Sequence, residues 1–164
     1  MGQIHSSAVS DKVLVQNIVA ALSEVHTVLG PGLTDTVYEE ALALELGLRK
    51  FNIQRQAEIS IVYKNVFIGR HSVSFLVEGR VMVEFQTEKI PIEVYQARLL
   101  AYLRAAQKRV ALLVDFNVED IKTGVKIAYL GQPKPKTERK RRGLDEETRV
   151  GDPPEEGPDG GEEE

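Results

Sequence analysis

The sequence predicts one α/β domain, a mixed β-sheet with helices packed on it in the order α-α-β-β-β-α-β-β, followed by a charged tail. Three observations carry that prediction. Apolar residues recur at helical spacing over residues 11–50 and again over 92–107. Between these lie β-branched stretches joined by the short turn sequences Lys64-Asn65 and Glu78-Gly79-Arg80. After the third helix comes Val110–Phe116, an unbroken apolar run of the kind found in strands buried on both faces. Elements interleaved in this way form a single layered domain.

The first helix, residues 11–29, places Val15, Ile18, Val19, Leu22, Val25 and Leu29 on one face. Asp11 can cap its start, and Gly30-Pro31-Gly32 stops it. A second helix runs from a Thr34 N-cap to about Lys50. Its apolar set, Val37, Ala41, Leu42, Leu44, Leu46 and Leu48, is broader than a narrow stripe and predicts substantial burial. Strands are predicted at Glu58–Tyr63, Val66–Ser74, the two arms of the hairpin around Gly79, Val110–Phe116 and Val125–Leu130. Pro91 precedes the third helix, Ile92–Gln107, with Leu99, Leu100, Leu103 and Ala106 at helical spacing.

Composition narrows the classes. The 164 residues include no Cys, which removes disulfides, thiolate metal sites and Cys nucleophiles, and fits a reducing, cytoplasmic location. No run of 18 apolar residues exists, so no membrane association by spanning is expected. Met1-Gly2-Gln3-Ile4-His5-Ser6 satisfies the loose N-myristoylation pattern. A single acyl chain needs a second membrane signal, and residues 1–10 are read as a disordered arm. Residues 1–131 hold 14 Lys+Arg against 14 Asp+Glu, so the domain over 11–131 lacks the basic excess common in nucleic-acid binders.

Residues 132–164 hold 7 Lys+Arg and 11 Asp+Glu with few aliphatics, and predict a disordered tail. Its basic block, with Lys134, Lys136, Arg139, Lys140, Arg141 and Arg142, suits nucleic acid or another acidic surface. The alternative is a solubilising tail whose basic and acidic halves partly neutralise each other.

The central hairpin, Val73–Gln86, carries the chemistry. A turn centred on Gly79 makes residues whose numbers sum to 158 face each other. Ser74 then opposes Glu84, and Gln86 shares their face. Alternation gives His71 the opposite parity from Ser74, which sets it on the other side of the sheet. Glu84, as a buried acid, calls for a cation or donors, and Arg98 is the expected partner. Tyr38 and Tyr102 are read as core residues with hydrogen-bonded hydroxyls.

The segment Gly30-Pro31-Gly32-Leu33-Thr34-Asp35-Thr36-Val37-Tyr38-Glu39-Glu40-Ala41-Leu42 closely resembles the opening motif of the GxxExxY family. That family is assigned to the PD-(D/E)xK nuclease superfamily. The likeness continues through the strands, Leu99-Leu100-Ala101-Tyr102-Leu103 and Leu112-Leu113-Val114-Asp115-Phe116, over roughly residues 12–130. The resemblance implies a restriction-endonuclease-like fold. It also implies a Mg²⁺ site on the hairpin, built from an Asp on the first strand and the Glu of an E-x-K on the next, with the Lys beside the attacking water.

Here the Asp position is Ser74, the Glu is retained as Glu84, and the Lys position is Gln86. Asp35 stands where the family's first-helix Glu is expected, and Arg98 where Gln is usual. A neutral hydroxyl is a poor Mg²⁺ ligand, so the resemblance implies a degenerate site with no cofactor, or with weakly bound Mg²⁺. The expected activity is binding of a protein or nucleic acid. The alternative is an active Mg²⁺-dependent nuclease in which Asp35 or Glu39, i and i+4 on one helix face, supplies the second carboxylate to Glu84.

Overall fold

The computed structural model describes residues 10–86 and 89–131. The N-terminal residues 1–9, with the acylation pattern, and the tail beyond Gly131, with its basic block, lie outside the described residues. Helix α1 spans Asp11–Leu29 and α2 spans Asp35–Leu48. Strands β1 (Ile53–Tyr63), β2 (Val66–Val77) and β3 (Val81–Phe85) follow, then α3 (Ile92–Ala106) and β4 (Val110–Val114). A single helical turn, α4 (Ile121–Gly124), leads into β5 (Val125–Tyr129).

The five strands form one sheet in the order β1-β2-β3-β4-β5. All neighbours are antiparallel except β3 and β4, which are parallel and joined by α3 as a crossover. This is the mixed α/β architecture expected from the periodicities, with α4 added as an element too short to leave a periodic signal.

Each face of the sheet buries its own apolar cluster. On one, the α1 stripe Leu14, Ile18 and Leu22 packs with Tyr38, Leu42 and Leu46 of α2 against Phe75, Val83, Phe85 and Leu112. On the other, Tyr95, Leu99 and Leu103 of α3 pack against Val73, Met82 and Leu113. Burying each such side chain is worth about 1.5–3 kcal/mol, so the two faces share the stabilisation. β3 and β4 are covered on both sides, which is why their sequences are almost purely apolar.

Both hairpin turns use left-handed residues. Lys64 and Asn65 have φ of 47° and 64°, and Glu78 and Gly79 have 53° and 63°. Two consecutive positive φ values match the right-handed twist of the flanking strands. The second turn closes with the Arg80 N–H donating to the Val77 carbonyl at 3.0 Å.

Three local expectations are corrected. Ser10, not Asp11, caps α1, its hydroxyl accepting from the Val13 N–H at 3.3 Å. Asp11 is instead the first helical residue and pairs with Arg80 across the chain. Thr34 does occupy the N-cap of α2, but its side chain makes no capping hydrogen bond. The broad apolar set of α2 is only half buried: Leu42 and Leu46 are inside, whereas Val37, Leu44 and Leu48 are 42%, 66% and 66% exposed. One helix cannot turn two apolar faces toward a single sheet, and Tyr38-Leu42-Leu46 is the face that won.

Candidate functional site

The β2–β3 ladder pairs Phe75 with Val83, Leu76 with Met82 and Val77 with Val81, all summing to 158. Continuing that register sets Ser74 across from Glu84, as the turn chemistry required. The ladder itself stops at Phe75. At the next step the Glu84 side chain replaces the strand, its Oε2 accepting the Ser74 backbone N–H at 3.1 Å. Ser74 therefore contributes its amide, and the residue is buried. Gln86 is half-buried and continues the strand direction, its N–H donating to the Val114 carbonyl at 2.8 Å.

Which side of the sheet Glu84 occupies follows from alternation. Val81, Val83 and Phe85 belong to the α1–α2 cluster and Met82 to the α3 cluster, so Glu84 points to the α3 side. There it meets His71, with Nε2 3.8 Å from Glu84 Oε1. The His71 ring stacks on Tyr102 of α3 at 4.0 Å between centroids and 16° between planes.

The expectation that parity carries His71 to the opposite side is thus wrong. Its cause is a reversal of both strands at one point. Ala57 and Val73 face α3, while Ile53 and Phe75 face α1 and α2, although residues four apart on β1 and two apart on β2 would share a face in an uninterrupted strand. The β1–β2 register keeps a constant sum of 130 on both sides of the break, but Gln56 and Ser74 are missing from the ladder. Gln56 has φ +49°, a left-handed conformation uncommon outside glycine, and that turn flips β1. β2 flips beside it. No sequence signal marks a glutamine for positive φ, so His71, Tyr102 and Gln56 were not legible as members of the site.

The electrostatics follow from the burial. Desolvation pushes the Glu84 carboxyl up to about 7. The Ser74 amide opposes that shift, the Glu39 carboxylate adds to it, and the Arg98 guanidinium opposes it least. Arg98, the partner expected for Glu84, acts on it as the last of these influences. Burial, with help from the Arg98 charge, holds the His71 imidazole below its ordinary value. With His71 held neutral and Glu84 half-protonated near pH 7, their 3.8 Å approach is a contact between weakly charged groups, too long for a hydrogen bond.

Of the two α2 carboxylates expected to join Glu84, Asp35 and Glu39, Glu39 is the one whose field reaches it. It also lies 3.4 Å from the Gln56 side-chain nitrogen, so the reversed strand and α2 meet at the rim of the site. Asp35 opens α2 one turn earlier, and no hydrogen bond or ion pair joins it to Glu84 among the described residues.

A Mg²⁺ ion needs near-octahedral oxygen coordination, commonly with one or two carboxylates plus substrate phosphate. Among the described residues, no group of three or more His, Cys, Asp or Glu side chains is placed to hold a metal ion. The hairpin offers one carboxylate, already engaged by an amide, and a neutral Gln86 where a cation would help form hydroxide. The hairpin thus supplies one carboxylate toward such a site, and any second one has to come from another element.

Among the described residues, no helix is long and apolar enough to cross a membrane. Comparison with curated proteins and with solved structures finds no match in either. A family model described as the PD-(D/E)XK nuclease superfamily matches residues 12–128. Because that match runs from the second residue of α1 to the penultimate residue of β5, it takes in the sheet and the hairpin alike, and the chain belongs to the PD-(D/E)XK nuclease superfamily.

Proposed function

We propose that this protein is a GxxExxY-type member of the superfamily whose nuclease site is catalytically degenerate, and that it acts by binding a protein or nucleic acid. One observation carries the reading: the Glu84 carboxylate is taken up by the Ser74 amide and is raised to about 7. A metal-binding carboxylate has to be ionised and to present free lone pairs. A cation binding Glu84 at neutral pH has to displace a proton from about half the molecules, and the Ser74 N–H already takes one of the carboxylate's lone pairs. The uncharged Ser74 and Gln86 supply neither a second ligand nor a cation to restore it.

A second reading rests on Glu39. Its charge is felt at Glu84, so α2 and β3 each hold a carboxylate within electrostatic reach of the other, from which a divalent-cation site could be completed by Asp35 or solvent. In that reading the protein is an active Mg²⁺-dependent phosphodiesterase.

A cleavage assay with Mg²⁺ or Mn²⁺ on single- and double-stranded DNA and RNA separates the two. Wild type is expected to be inactive, and the Ser74→Asp, Gln86→Lys double mutant to gain activity on an intact scaffold. Turnover by wild type that disappears in Glu84→Ala would sink the degenerate reading. Calorimetry showing no Mg²⁺ or Mn²⁺ binding at millimolar concentration would sink the active one.

A further inference from the structure

The reversal at Gln56 leaves a mark on the outer edge of the sheet. Arg55 turns toward α2, where it pairs with Glu40, instead of covering the α3 side. A cavity of about 580 Å³ lies along residues 54–60 of β1, with Arg55 part of its lining. Val73, Leu76 and Met82 lie beneath it, and Ala105 and Ala106 of α3 wall it. At the other end of the strand, the β1–β2 hairpin outruns the rest of the sheet, because only Phe75–Val77 of β2 pairs with β3. That projecting arm exposes Val62, Tyr63, Val66, Phe67 and Ile68, each between 56% and 61% exposed. By the register, Tyr63 and Val66 share one face of the arm and Val62 and Phe67 the other, so each face presents an exposed apolar pair.

Among the described residues, no strand pairs with the outer edge of β1. Its row of backbone donors and acceptors is a template for another strand. The edge therefore carries an apolar arm at its C-terminal end and, along residues 54–60, a cavity with an apolar floor of Val73, Leu76 and Met82 and a polar rim that includes Gln54, Glu58 and Lys108, with open hydrogen-bonding groups along the strand. Such an edge is complementary to itself when two copies run antiparallel about a two-fold axis, since each arm then reaches the other's cavity. Ala57, Ile59 and Ile61 face α3, and Tyr63 continues their alternation. A two-fold perpendicular to the sheet keeps both α3 layers on one side, so Tyr63 arrives on the face where the cavity lies.

We propose that a second copy of this chain docks edge to edge on β1, forming an antiparallel homodimer in which each hairpin arm covers the other copy's cavity. Charge favours this occupant. Residues 61–69 contain a single charged side chain, Lys64, which gives a nucleic acid little to bind, and the formally neutral domain does not repel its own copy. Register follows from like-charge avoidance. A dyad at Glu58 would set two carboxylates opposite each other, whereas a dyad at Ile59 faces Glu58 with Ser60 and carries Tyr63 past Ala57 to the cavity.

The proposal is tested on the full chain by analytical ultracentrifugation at micromolar concentration, with circular dichroism to check folding. Wild type is expected to sediment as a dimer, and Tyr63→Lys, at a site more than half exposed and outside the core, as a folded monomer. Leu44→Lys, on the exposed face of α2, is expected to leave the dimer unchanged. Because the chain has no Cys, a Glu58→Cys, Ser60→Cys variant should yield a dimer linked only through the introduced thiols. A monomeric wild type, a dimer unaffected by Tyr63→Lys, one dispersed by Leu44→Lys, or one that fails to cross-link overturns it.

Discussion

Glu84 is a carboxyl whose folded-state value, about 7, lies above its ordinary 4.5. The sign of its effect on stability follows directly. Below pH 4.5 both folded and unfolded states hold the proton and the site costs nothing. As pH rises toward 7, the unfolded chain releases that proton while the folded protein keeps it, so stability falls with increasing pH. Above 7 the folded site holds a poorly solvated anion, at a cost on the order of 3 kcal/mol. Glu84→Gln keeps an oxygen to accept the Ser74 N–H but cannot ionise. It is expected to stabilise the protein by about 2–3 kcal/mol at pH 8 and by little at pH 4, read from urea unfolding across that range. A pH-independent difference would remove the ionisation argument. The register arithmetic that set Ser74 against Glu84 was legible because a turn with two positive-φ residues fixes pairing at short range. His71 was not legible, because its position depends on one backbone angle at Gln56, two strands away from Glu84.

At the scale of elements, two glycines give opposite predictions from the same substitution. Gly47 lies inside α2, and a Cβ there meets nothing within 4 Å. Gly47→Ala should therefore stabilise by about 0.5–1 kcal/mol through helix propensity. Gly124 ends α4, where a Cβ would fall 2.1 Å from the Asp115 carbonyl oxygen, a backbone atom that cannot swing aside. The same residue's carbonyl accepts the Asp115 N–H at 2.9 Å, so displacement also loosens the joint between β4 and β5. Gly124→Ala is expected to cost more than 2 kcal/mol, seen as a fall in thermal midpoint that Gly47→Ala does not share. Strand and turn positions were legible because alternation and turn chemistry are local. Which of the two apolar faces of α2 is buried was not, since Val37-Leu44-Leu48 and Tyr38-Leu42-Leu46 both recur at helical intervals and only packing against the sheet distinguishes them.

Over the whole molecule, charge is divided between a neutral domain and a tail carrying the entire formal −4. A nucleic-acid partner held by the tail's basic block would place its phosphates against those cations. Replacing Arg139, Lys140, Arg141 and Arg142 by Gln in the full chain is then expected to weaken binding and to lower the slope of log affinity against log salt by about 3. A slope left unchanged, measured by fluorescence anisotropy, would direct the search toward a protein partner. The domain's layering was legible at this scale, because a run of α, β and αβ patterns admits few topologies. The parallel β3–β4 pair follows from the length of the α3 crossover.

The separation of the core into two clusters has a spectroscopic consequence. The chain has no Trp and 5 Tyr, and the sheet sorts those chromophores by face. Tyr38 is fully enclosed on the α1–α2 side, stacked on Phe116 at 4.2 Å, with its hydroxyl donating to the Gly30 carbonyl at 2.6 Å. Tyr129 packs against the same α1–α2 cluster, Tyr95 and Tyr102 belong to the α3 side, and Tyr63 stands on the arm. A set of Tyr→Phe variants followed by near-ultraviolet circular dichroism would thus report on each layer separately. The molecule carries, without any label, a distinct optical channel for each face of its sheet and another for the edge where a second copy is proposed to dock.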